Sequence, residues 1–390
     1  GEEGKEDCFE ALRFSEIREI LVYARKFWDV YLVGGAVRDW VIRGFSDFNV
    51  KDCDFVIADD LGGFVSFLES RGFKVSKFSR FGTAELSFKG LNVDVALMRR
   101  EFYDFPGALP KVEFVKDIKT DVLRRDFTVN SLYFDGEKII DFLGGLDDIS
   151  MKTIRPVASF SDDPTRIFRG IRYKNLLNFQ YSKEFFKFLE EGKNYILNVS
   201  ANRLLNELRN TSVISKGAMV SAFSDMANFD VLSWGFEGVD SEIVKSWKRF
   251  YVGKPSKYRW VILLAPFSRE GLPLEGAEKR CLEILKIPKI EENVYSIHSK
   301  FYKFGDLEVL TYLNWKAENV RIFLKYLKVR KLVKIKLYPM EERVKSFEES
   351  MDKLNVKLPK PEFLYEDPKG SGEKGKLKAK IESYLIASRI

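Results

Sequence analysis

Two adjacent glycines, followed by two closely spaced acids, constrain the fold of this chain more than any other feature. The apolar run 30–33 ends at Gly34 and Gly35, and the residues after the glycines have helical character. Asp52 and Asp54 then begin a second apolar run, DCDFV. Because strand side chains alternate between faces, residues i and i+2 project to the same side. The pattern predicts a strand, a tight turn and a helix, beside a strand on which two carboxylates converge.

The chemistry of these residues favours a nucleotide and a metal ion. Convergent carboxylates repel each other, and hard oxygen ligands suit Mg²⁺ shared with a substrate phosphate. A glycine turn at a helix start offers backbone N–H groups to a phosphate, and Arg38 adds a guanidinium. Taken singly, these features also fit an ordinary strand-to-helix turn and a solvated strand edge, but their order and spacing favour the nucleotide site. The glycines match neither the dinucleotide-binding nor the phosphate-loop pattern.

Five segments in order carry a family resemblance. They are YLVGGAVRDWVIRG, KDCDFVIA, VDVALMRREFY, DVLRRDFTVNSLYFD and FSDDPTRIFRGIRY. This series resembles the ordered motifs of the class II tRNA nucleotidyltransferases and bacterial poly(A) polymerases, within the DNA polymerase β superfamily. Beyond about residue 210 the resemblance is only in size and basic character. The expected fold is α+β, with an N-terminal polymerase-β-like nucleotidyltransferase head (a mixed sheet with helices) followed by an elongated all-helical body.

The resemblance implies roles for individual residues. Asp52 and Asp54 would be the catalytic residues and the ligands of two Mg²⁺ ions, and Asp126 and Asn130 would hold the local structure. The residues implied to bind the nucleotide are Gly34, Gly35, Arg38, Arg124, Arg125, Asp163, Arg166, Arg169 and Arg172. The reaction implied is attack of an RNA 3′-hydroxyl on the α-phosphate of a nucleoside triphosphate, with release of pyrophosphate.

The resemblance also implies that Asp163 and Arg166 read the edge of the base. They are three residues apart, so on a helix they would share a face and present an acceptor beside a donor fork. The family usually has Glu where this chain has Asp162, and that difference leaves the choice of base open. Asp94 lies on another alternating strand, where it is either a third carboxylate of the site or a surface residue.

Residues 99–117 predict a flexible loop beside the site. A glycine and two prolines lie there between charged and aromatic residues. The family uses such a loop to gate nucleotide specificity, although an uninvolved surface loop fits the residues equally well.

Composition excludes several other classes of protein. With 390 residues and 45% hydrophobic content, the chain can build two or more domains with substantial cores. The single histidine, His298, disfavours histidine-rich metal sites and Ser-His-Asp catalysis. Three scattered cysteines (Cys8, Cys53 and Cys281) disfavour a disulfide framework and zinc clusters, and we expect Cys53 to point to the buried face of its strand.

Location in the cell follows from the same composition. No apolar run approaches the ~20 residues of a membrane span, so we expect a cytoplasmic protein that does not associate with a membrane. The chain begins with glycine instead of methionine, which fits a processed product or a part of a longer protein.

Basic residues predict an RNA partner. Lys and Arg number 65 against 58 Asp and Glu, and the pI is about 9.0. Residues 321–336 hold seven basic side chains and no acid. The predicted RNA-binding residues are Lys325, Lys328, Arg330, Lys331 and Lys334. Segment 245–260 interleaves basic and aromatic residues, whose rings either stack on bases or belong to the core.

The pattern along the chain predicts five parts. Residues 1–29 are a helical lead-in with a helix over Ser15 to Phe27, and residues 30–150 are the catalytic head. Residues 151–215 form a helical neck that recognises the nucleotide, and residues 216–355 form a helical body and tail that binds tRNA. Residues 356–390 are a flexible linker and a terminal helix.

The function predicted first is addition of the terminal A to the 3′-CCA end of tRNA from ATP. The 99–117 loop, the Asp162 difference and the start of the chain weigh toward this reaction. Full CCA addition with CTP and ATP is the main alternative, and the partner in both cases is the acceptor arm and 3′ end of tRNA. Poly(A) polymerase, a small-molecule nucleotidyltransferase and a non-catalytic RNA-binding protein remain further alternatives.

Overall fold

The computed structural model describes residues 12–246, 257–276, 278, 279 and 282. The chain divides into two compact units, Gly1–Val199 and Ser200–Ile390. This division falls within the segment 151–215 predicted as the neck, and the five-part division stays a prediction. Within the described ranges, no helix has the length and apolar character needed to cross a membrane.

The strands of the described part of the chain form one large mixed sheet and two small ones. The seven-stranded sheet has the order β3-β4-β5-β2-β1-β8-β9, with β2 and β5 parallel and its other neighbouring pairs antiparallel. The small sheets pair β6 with β7 and β10 with β11. The strands are β1 (Val30–Val33), β2 (Asp52–Ile57), β3 (Lys74–Ser79), β4 (Thr83–Phe88), β5 (Leu91–Leu97), β6 (Arg99–Phe102), β7 (Lys111–Phe114), β8 (Tyr133–Phe134), β9 (Ile139–Ile140), β10 (Thr153–Ile154) and β11 (Gln180–Tyr181).

Helices occur in both units of the described part of the chain. They are α1 (Phe14–Ala24), α2 (Gly35–Ile42), α3 (Leu61–Ser70), α4 (Ile118–Asp121), α5 (Gly145–Ser150), α6 (Thr165–Leu177), α7 (Lys183–Gly192), α8 (Ala201–Ser212), α9 (Lys216–Asn228), α10 (Ser241–Ser246) and α11 (Arg259–Leu264). Short 3₁₀ turns lie at Val122–Arg124, Thr128–Asn130, Lys193–Asn198 and Ala265–Phe267. The predicted mixed α+β head followed by helices is confirmed.

Alternation on β2 and β5 places polar and apolar side chains on opposite faces of the sheet. Cys53 and Phe55 are buried, and the Phe55 ring lies 5.5 Å from that of Phe64 on α3. Val93 on β5 is buried in the same way, whereas its neighbour Asp94 is exposed. The prediction that Cys53 points into the buried face is confirmed, and the acids are left on the other face.

The leading helix ends earlier than predicted. Helix α1 runs over Phe14–Ala24 and not to Phe27. The chain must turn there to enter β1, and Arg25 stabilises the turn because its Nη1 donates to the Val30 carbonyl oxygen at 2.7 Å. The side chain of Phe27 is 63% exposed, so little apolar burial would be gained by extending the helix.

In the described part of the second unit, the aromatic residue Trp260 lies in the core. Trp260 on α11 is fully buried, and its indole N–H donates to Glu278 Oε2 at 3.0 Å. The neighbouring Arg259 donates to the carbonyl oxygens of Ser212 and Ile214 at the end of α8. Trp260 is therefore a core residue, and the interpretation that it stacks on bases is wrong.

Candidate nucleotide-binding active site

The glycine turn and the acid pair come together in space. Gly34 precedes α2 with φ +82°, a conformation that side chains rarely adopt. A β-carbon added there would lie 3.1 Å from Asp54 Oδ2. Strand β1 brings this about because Val33 pairs with Asp54 on β2. The Asp54 carboxylate therefore lies directly beside the predicted phosphate-binding turn.

Four acids share one face of the sheet. Asp54 pairs in register with Asp94 on the parallel strand β5, and Asp94 pairs with Glu85 on β4. Asp52 projects to the same side as Asp54, and its Oδ1 accepts a hydrogen bond from Asn92 Nδ2 at 3.3 Å. The structure thus brings the two predicted acids together and adds Asp94 beside them.

Electrostatics at this face disfavour negative charge. Burial raises the pKa of Asp54 to about 6, with a further contribution from the negative charge of Asp94. Burial also raises the pKa of Asp94, and the charge of Glu85 adds to this effect. The positive charges of Arg125 and Arg169 act in the opposite direction on Asp54. A site of this kind gains stability from a bound cation.

These acids fit a magnesium ion that is shared with a substrate. Within the described ranges, no three His, Cys, Asp or Glu side chains form a ready-made metal site. Mg²⁺ retains waters and commonly binds through one or two carboxylates plus substrate phosphates. The donors are carboxylate oxygens only, and the missing side chain at Gly34 leaves space above Asp54. Asp52 and Asp54 as Mg²⁺ ligands remain a prediction.

Arg38 lies across the glycine turn, but it is buried and bonded to protein groups. Its Nη1 donates to Asn130 Oδ1 at 2.6 Å, and its Nη2 lies 3.0 Å from Asp39 Oδ1. A β-carbon at Gly35 would lie 3.4 Å from Arg38 Nη2. These contacts hold the guanidinium in position beside the turn.

Asp126 and Asn130 hold this region together, as the resemblance implied. Asp126 Oδ2 accepts from Arg169 Nε at 2.8 Å, and its Oδ1 accepts from Asn130 Nδ2 at 3.4 Å. Burial alone would raise the pKa of Asp126, but the charge and hydrogen bond of Arg169, the charge of Arg166 and the Phe127 N–H together lower that pKa below its usual value. Arg169, predicted to bind nucleotide, is thus anchored within reach of the acids.

Arg124 and Arg125 share one buried carboxylate. Asp121 Oδ1 accepts from Arg124 Nε, and Asp121 Oδ2 accepts from Arg125 Nη2, each at 3.0 Å. Tyr133 Oη also donates to Asp121 Oδ2, at 2.5 Å. Burial alone would raise the pKa of Asp121, but both arginines hold it below 3.8. Of the two arginines, Arg125 is the one whose charge acts on Asp54.

Asp163 does not lie on a helix face with Arg166. Helix α6 begins at Thr165, after Pro164, so Asp163 precedes it. Asp163 Oδ1 accepts from the Thr165 hydroxyl at 2.5 Å, while Arg166 is buried and its Nη2 donates to the Arg124 carbonyl oxygen at 2.6 Å. The helix-face argument for this pair is therefore wrong, and their role in base recognition stays a prediction. Arg172 is also buried, later on α6.

The segment predicted as a flexible loop is largely a β-hairpin. Strands β6 and β7 pair from Arg99 with Phe114 to Phe102 with Lys111. The Gly107 N–H donates to the Asp162 carbonyl oxygen at 3.1 Å, which fixes the connection between the strands. The glycine and both prolines lie between the two strands, in the connection 103–110, so the residues on either side of them remain free to pair.

Tyr173 and Asp121 are important residues that sequence reasoning missed. Tyr173 lies one helical turn after Arg169 on α6, and Asp121 lies three residues before Arg124. Both spacings bring side chains together on helical backbone, and both were visible in the sequence. The predicted RNA-binding residues, from Lys325 to Lys334, lie outside the described residues.

Comparisons with known proteins agree with this geometry. Residues 30–155 match the poly A polymerase head domain family. An alignment of 371 positions, which covers 89% of this chain, shows 32% identity to the A-adding tRNA nucleotidyltransferase of Aquifex aeolicus (strain VF5). The head-domain match and this identity together support the class II tRNA nucleotidyltransferase family, bacterial type. A second member of the family, the CCA-adding enzyme of Staphylococcus epidermidis (strain ATCC 12228 / FDA PCI 1200), is 26% identical over 74% of each chain.

A solved enzyme with a similar fold supports the same comparison. A solved CCA-adding enzyme in its apo form II matches with a TM-score of 0.66 and 22% identity, over 96% of this chain and 95% of that one. At this identity the likeness concerns the fold alone. The chain spans 43% of the length of the Aquifex aeolicus family member.

Proposed function

We propose that this chain is a template-independent tRNA nucleotidyltransferase that adds the terminal A of the 3′-CCA end from ATP and releases pyrophosphate. One observation carries the proposal: the Asp54 carboxylate lies beside the glycine turn, where a β-carbon on Gly34 would be only 3.1 Å from it. A triphosphate on the turn would then have its phosphates next to carboxylates that require a cation. The enzyme would work in the cytoplasm, where tRNA and ATP are present.

Alignment and charge neutralisation account for the reaction, and no side-chain nucleophile is needed. Asp52 and Asp54 would hold Mg²⁺, which when bound would lower the pKa of the RNA 3′-hydroxyl and neutralise the phosphates. The backbone N–H groups at the start of α2 and the Arg38 guanidinium would orient the triphosphate. Arg125 and Arg169 would add positive charge beside Asp54, as their influence on its pKa supports.

Full CCA addition is the second candidate. The A-adding relative from Aquifex aeolicus, at 32% identity, favours addition of A alone. The CCA-adding relative from Staphylococcus epidermidis, at 26% identity over 74% of both chains, supports use of CTP as well. The site described above serves either reaction, because both use the same phosphoryl transfer.

A single set of reactions separates the candidates. The purified chain is incubated with Mg²⁺, labelled ATP or CTP, and tRNA transcripts ending in the discriminator base, in C or in CC. We expect one A to be added to the CC-ending transcript and no C to any transcript. Extension of all three transcripts to CCA would replace the first candidate by the second, and long A tails on any RNA would point to a poly(A) polymerase.

The controls test the remaining classes. Asp52→Asn and Asp54→Asn should abolish transfer and leave tRNA binding nearly unchanged. Salt-sensitive tRNA binding that persists without transfer in the wild-type chain would indicate an RNA-binding protein. Absence of both binding and transfer would favour a small-molecule nucleotidyltransferase.

A further inference from the structure

Tyr173, on α6, is the meeting point of three arginines. The guanidinium carbons of Arg38, Arg169 and Arg172 lie 5.4, 5.4 and 5.5 Å from the centre of its ring. The Tyr173 hydroxyl also accepts a hydrogen bond from Arg169 Nη2 at 2.9 Å. A guanidinium within about 6 Å of the centre of an aromatic ring is attracted to the ring electrons. Like charges repel, so the ring is a reason why these arginines stay together.

The contacts form a closed circuit between two parts of the site. Arg38 donates to Asn130, Asn130 donates to Asp126, and Asp126 accepts from Arg169. Arg169 then donates to Tyr173, whose ring lies next to Arg38 again. The circuit connects α2, at the glycine turn, with α6. Tyr173 closes it, because its ring is the contact between Arg38 and α6 in this circuit.

This circuit lies beside the acids and the turn. Arg38 Nη2 is 3.4 Å from the point where a β-carbon of Gly35 would be. Arg169 is joined to Arg38 through the hydrogen bonds of Asp126 and Asn130, so it lies on the same side of the turn. The two guanidiniums held by Tyr173 therefore come from different elements and lie next to the place proposed for the triphosphate.

We propose that Tyr173 is a positioning residue for the incoming nucleotide, which holds the Arg38 and Arg169 guanidiniums in the arrangement that binds the triphosphate. This inference rests on the proposed function. Tyr173 acts through the two arginines and takes no part in the transfer itself. Its loss should weaken binding of the nucleotide and change the rate of the bound complex much less.

Two substitutions separate the ring from the hydroxyl. Tyr173→Leu removes both the ring and the hydroxyl. We expect the Kd of ATP with Mg²⁺ and the KM for ATP to rise roughly 3- to 10-fold, because one or two cation–π contacts are lost. The kcat should change by less than about 2-fold, because the acids are untouched. Tyr173→Phe keeps the ring, and its Kd should stay within about 2-fold of wild type.

A matched control and a double-mutant cycle test whether Tyr173 acts through Arg38. Tyr181→Leu removes a partly buried tyrosine of the same unit whose ring neighbours are Lys174, Phe185 and Phe186, and it should leave the Kd of ATP unchanged. In an Arg38→Met background, Tyr173→Leu should weaken ATP binding by less than it does in wild type. Binding is measured well below the melting temperature of each variant.

The outcomes distinguish this inference from the proposed function. If wild type binds ATP and extends tRNA but Tyr173→Leu has an unchanged Kd and KM, the positioning role is overturned and the function stands. An effect of Tyr173→Leu that is equally large in the Arg38→Met background would also overturn it. If Tyr173→Leu does not fold, Tyr173→His replaces it, because its ring is flat but less rich in electrons. A Kd of this variant for ATP equal to that of wild type would count against the inference. A wild-type chain that neither binds ATP nor extends tRNA would instead remove the proposed function.

Discussion

Asp54 and Asp94 lie opposite each other, in register, on the parallel strands β2 and β5. Neighbouring strands are only about 4.8 Å apart, so two carboxylates placed this way repel each other. Burial and this repulsion raise the pKa of Asp54 to about 6. The Asp54–Asp94 pair therefore lowers the free energy of unfolding in the absence of a cation. The proposed ion site can thus be tested by measuring stability.

Replacing Asp54 with Asn should stabilise the metal-free protein while abolishing nucleotide transfer. The neutral amide removes a partly buried charge whose pKa of about 6, in place of 3.8, corresponds to at most roughly 3 kcal/mol. We expect the free energy of unfolding in urea, measured at pH 7 with EDTA, to rise by about 1–3 kcal/mol. The matched control is Asp52→Asn, an exposed acid on the same strand, which should abolish transfer with little change in stability. An Asp54→Asn variant less stable than wild type would contradict the burial argument.

Magnesium with a non-transferable ATP analogue should raise the melting temperature of wild type. A ligand that binds only the folded state at 100 times its Kd stabilises that state by about 2.7 kcal/mol. The increase should disappear in Asp52→Asn and Asp54→Asn, because each removes an oxygen donor from the proposed ion site. The melting temperatures are measured by differential scanning fluorimetry in EDTA, in Mg²⁺ alone, and in Mg²⁺ with the analogue. Equal increases in wild type and both variants would mean that the acids do not hold the ion.

Gly34→Ala should damage the site beyond its effect on the fold. Its φ of +82° strains any side chain, and the new β-carbon would lie 3.1 Å from Asp54 Oδ2. We expect a loss of roughly 1–3 kcal/mol in stability and about 100-fold in kcat/KM, since small displacements of reacting groups are costly.

Gly44→Ala is the control for backbone strain at Gly34. Gly44 has φ +64°, but a β-carbon there would meet nothing within 4 Å. It should lose roughly 1–2 kcal/mol in stability and keep nearly normal transfer. Equal losses of activity in the two variants would show that strain, and not contact with Asp54, is responsible.

Short sequence patterns predicted the local structure around the glycine turn and the acids of β2. The alternation around Cys53 and the two glycines after β1 each act over a few residues, so strand faces and the turn could be read directly from the sequence. The side of the sheet on which Asp54 lies follows from the burial of Cys53 and Phe55. No contact between distant segments was needed for these inferences.

Interactions between distant segments could not be predicted in this way. The contact of Arg38 with Tyr173 depends on how α2 and α6 pack, which one sequence does not specify. Asp163 was misplaced because Pro164 was not recognised as the residue before the helix start. The β6–β7 hairpin was missed because glycine and proline were taken as signs of an irregular loop, whereas they lie in the connection between two paired strands.

Asp121→Asn should destabilise the protein strongly at neutral pH and progressively less in acid. The change leaves Arg124, Arg125 and Tyr133 without their buried carboxylate, and breaking such a pair costs about 3–5 kcal/mol. The pKa of Asp121 lies below 3.8 in the folded state, so its contribution is present above that pH and is lost as the pH falls through the folded pKa. Urea unfolding of both proteins from pH 7 to pH 3 should give free energies of unfolding that converge below about pH 4.

The control is Asp47→Asn, which removes an exposed acid whose pKa is also lowered. This change should lower the free energy of unfolding only a little at any pH. A difference between Asp121→Asn and wild type that stays constant down to pH 3 would mean that the ionised carboxylate is not what stabilises this cluster.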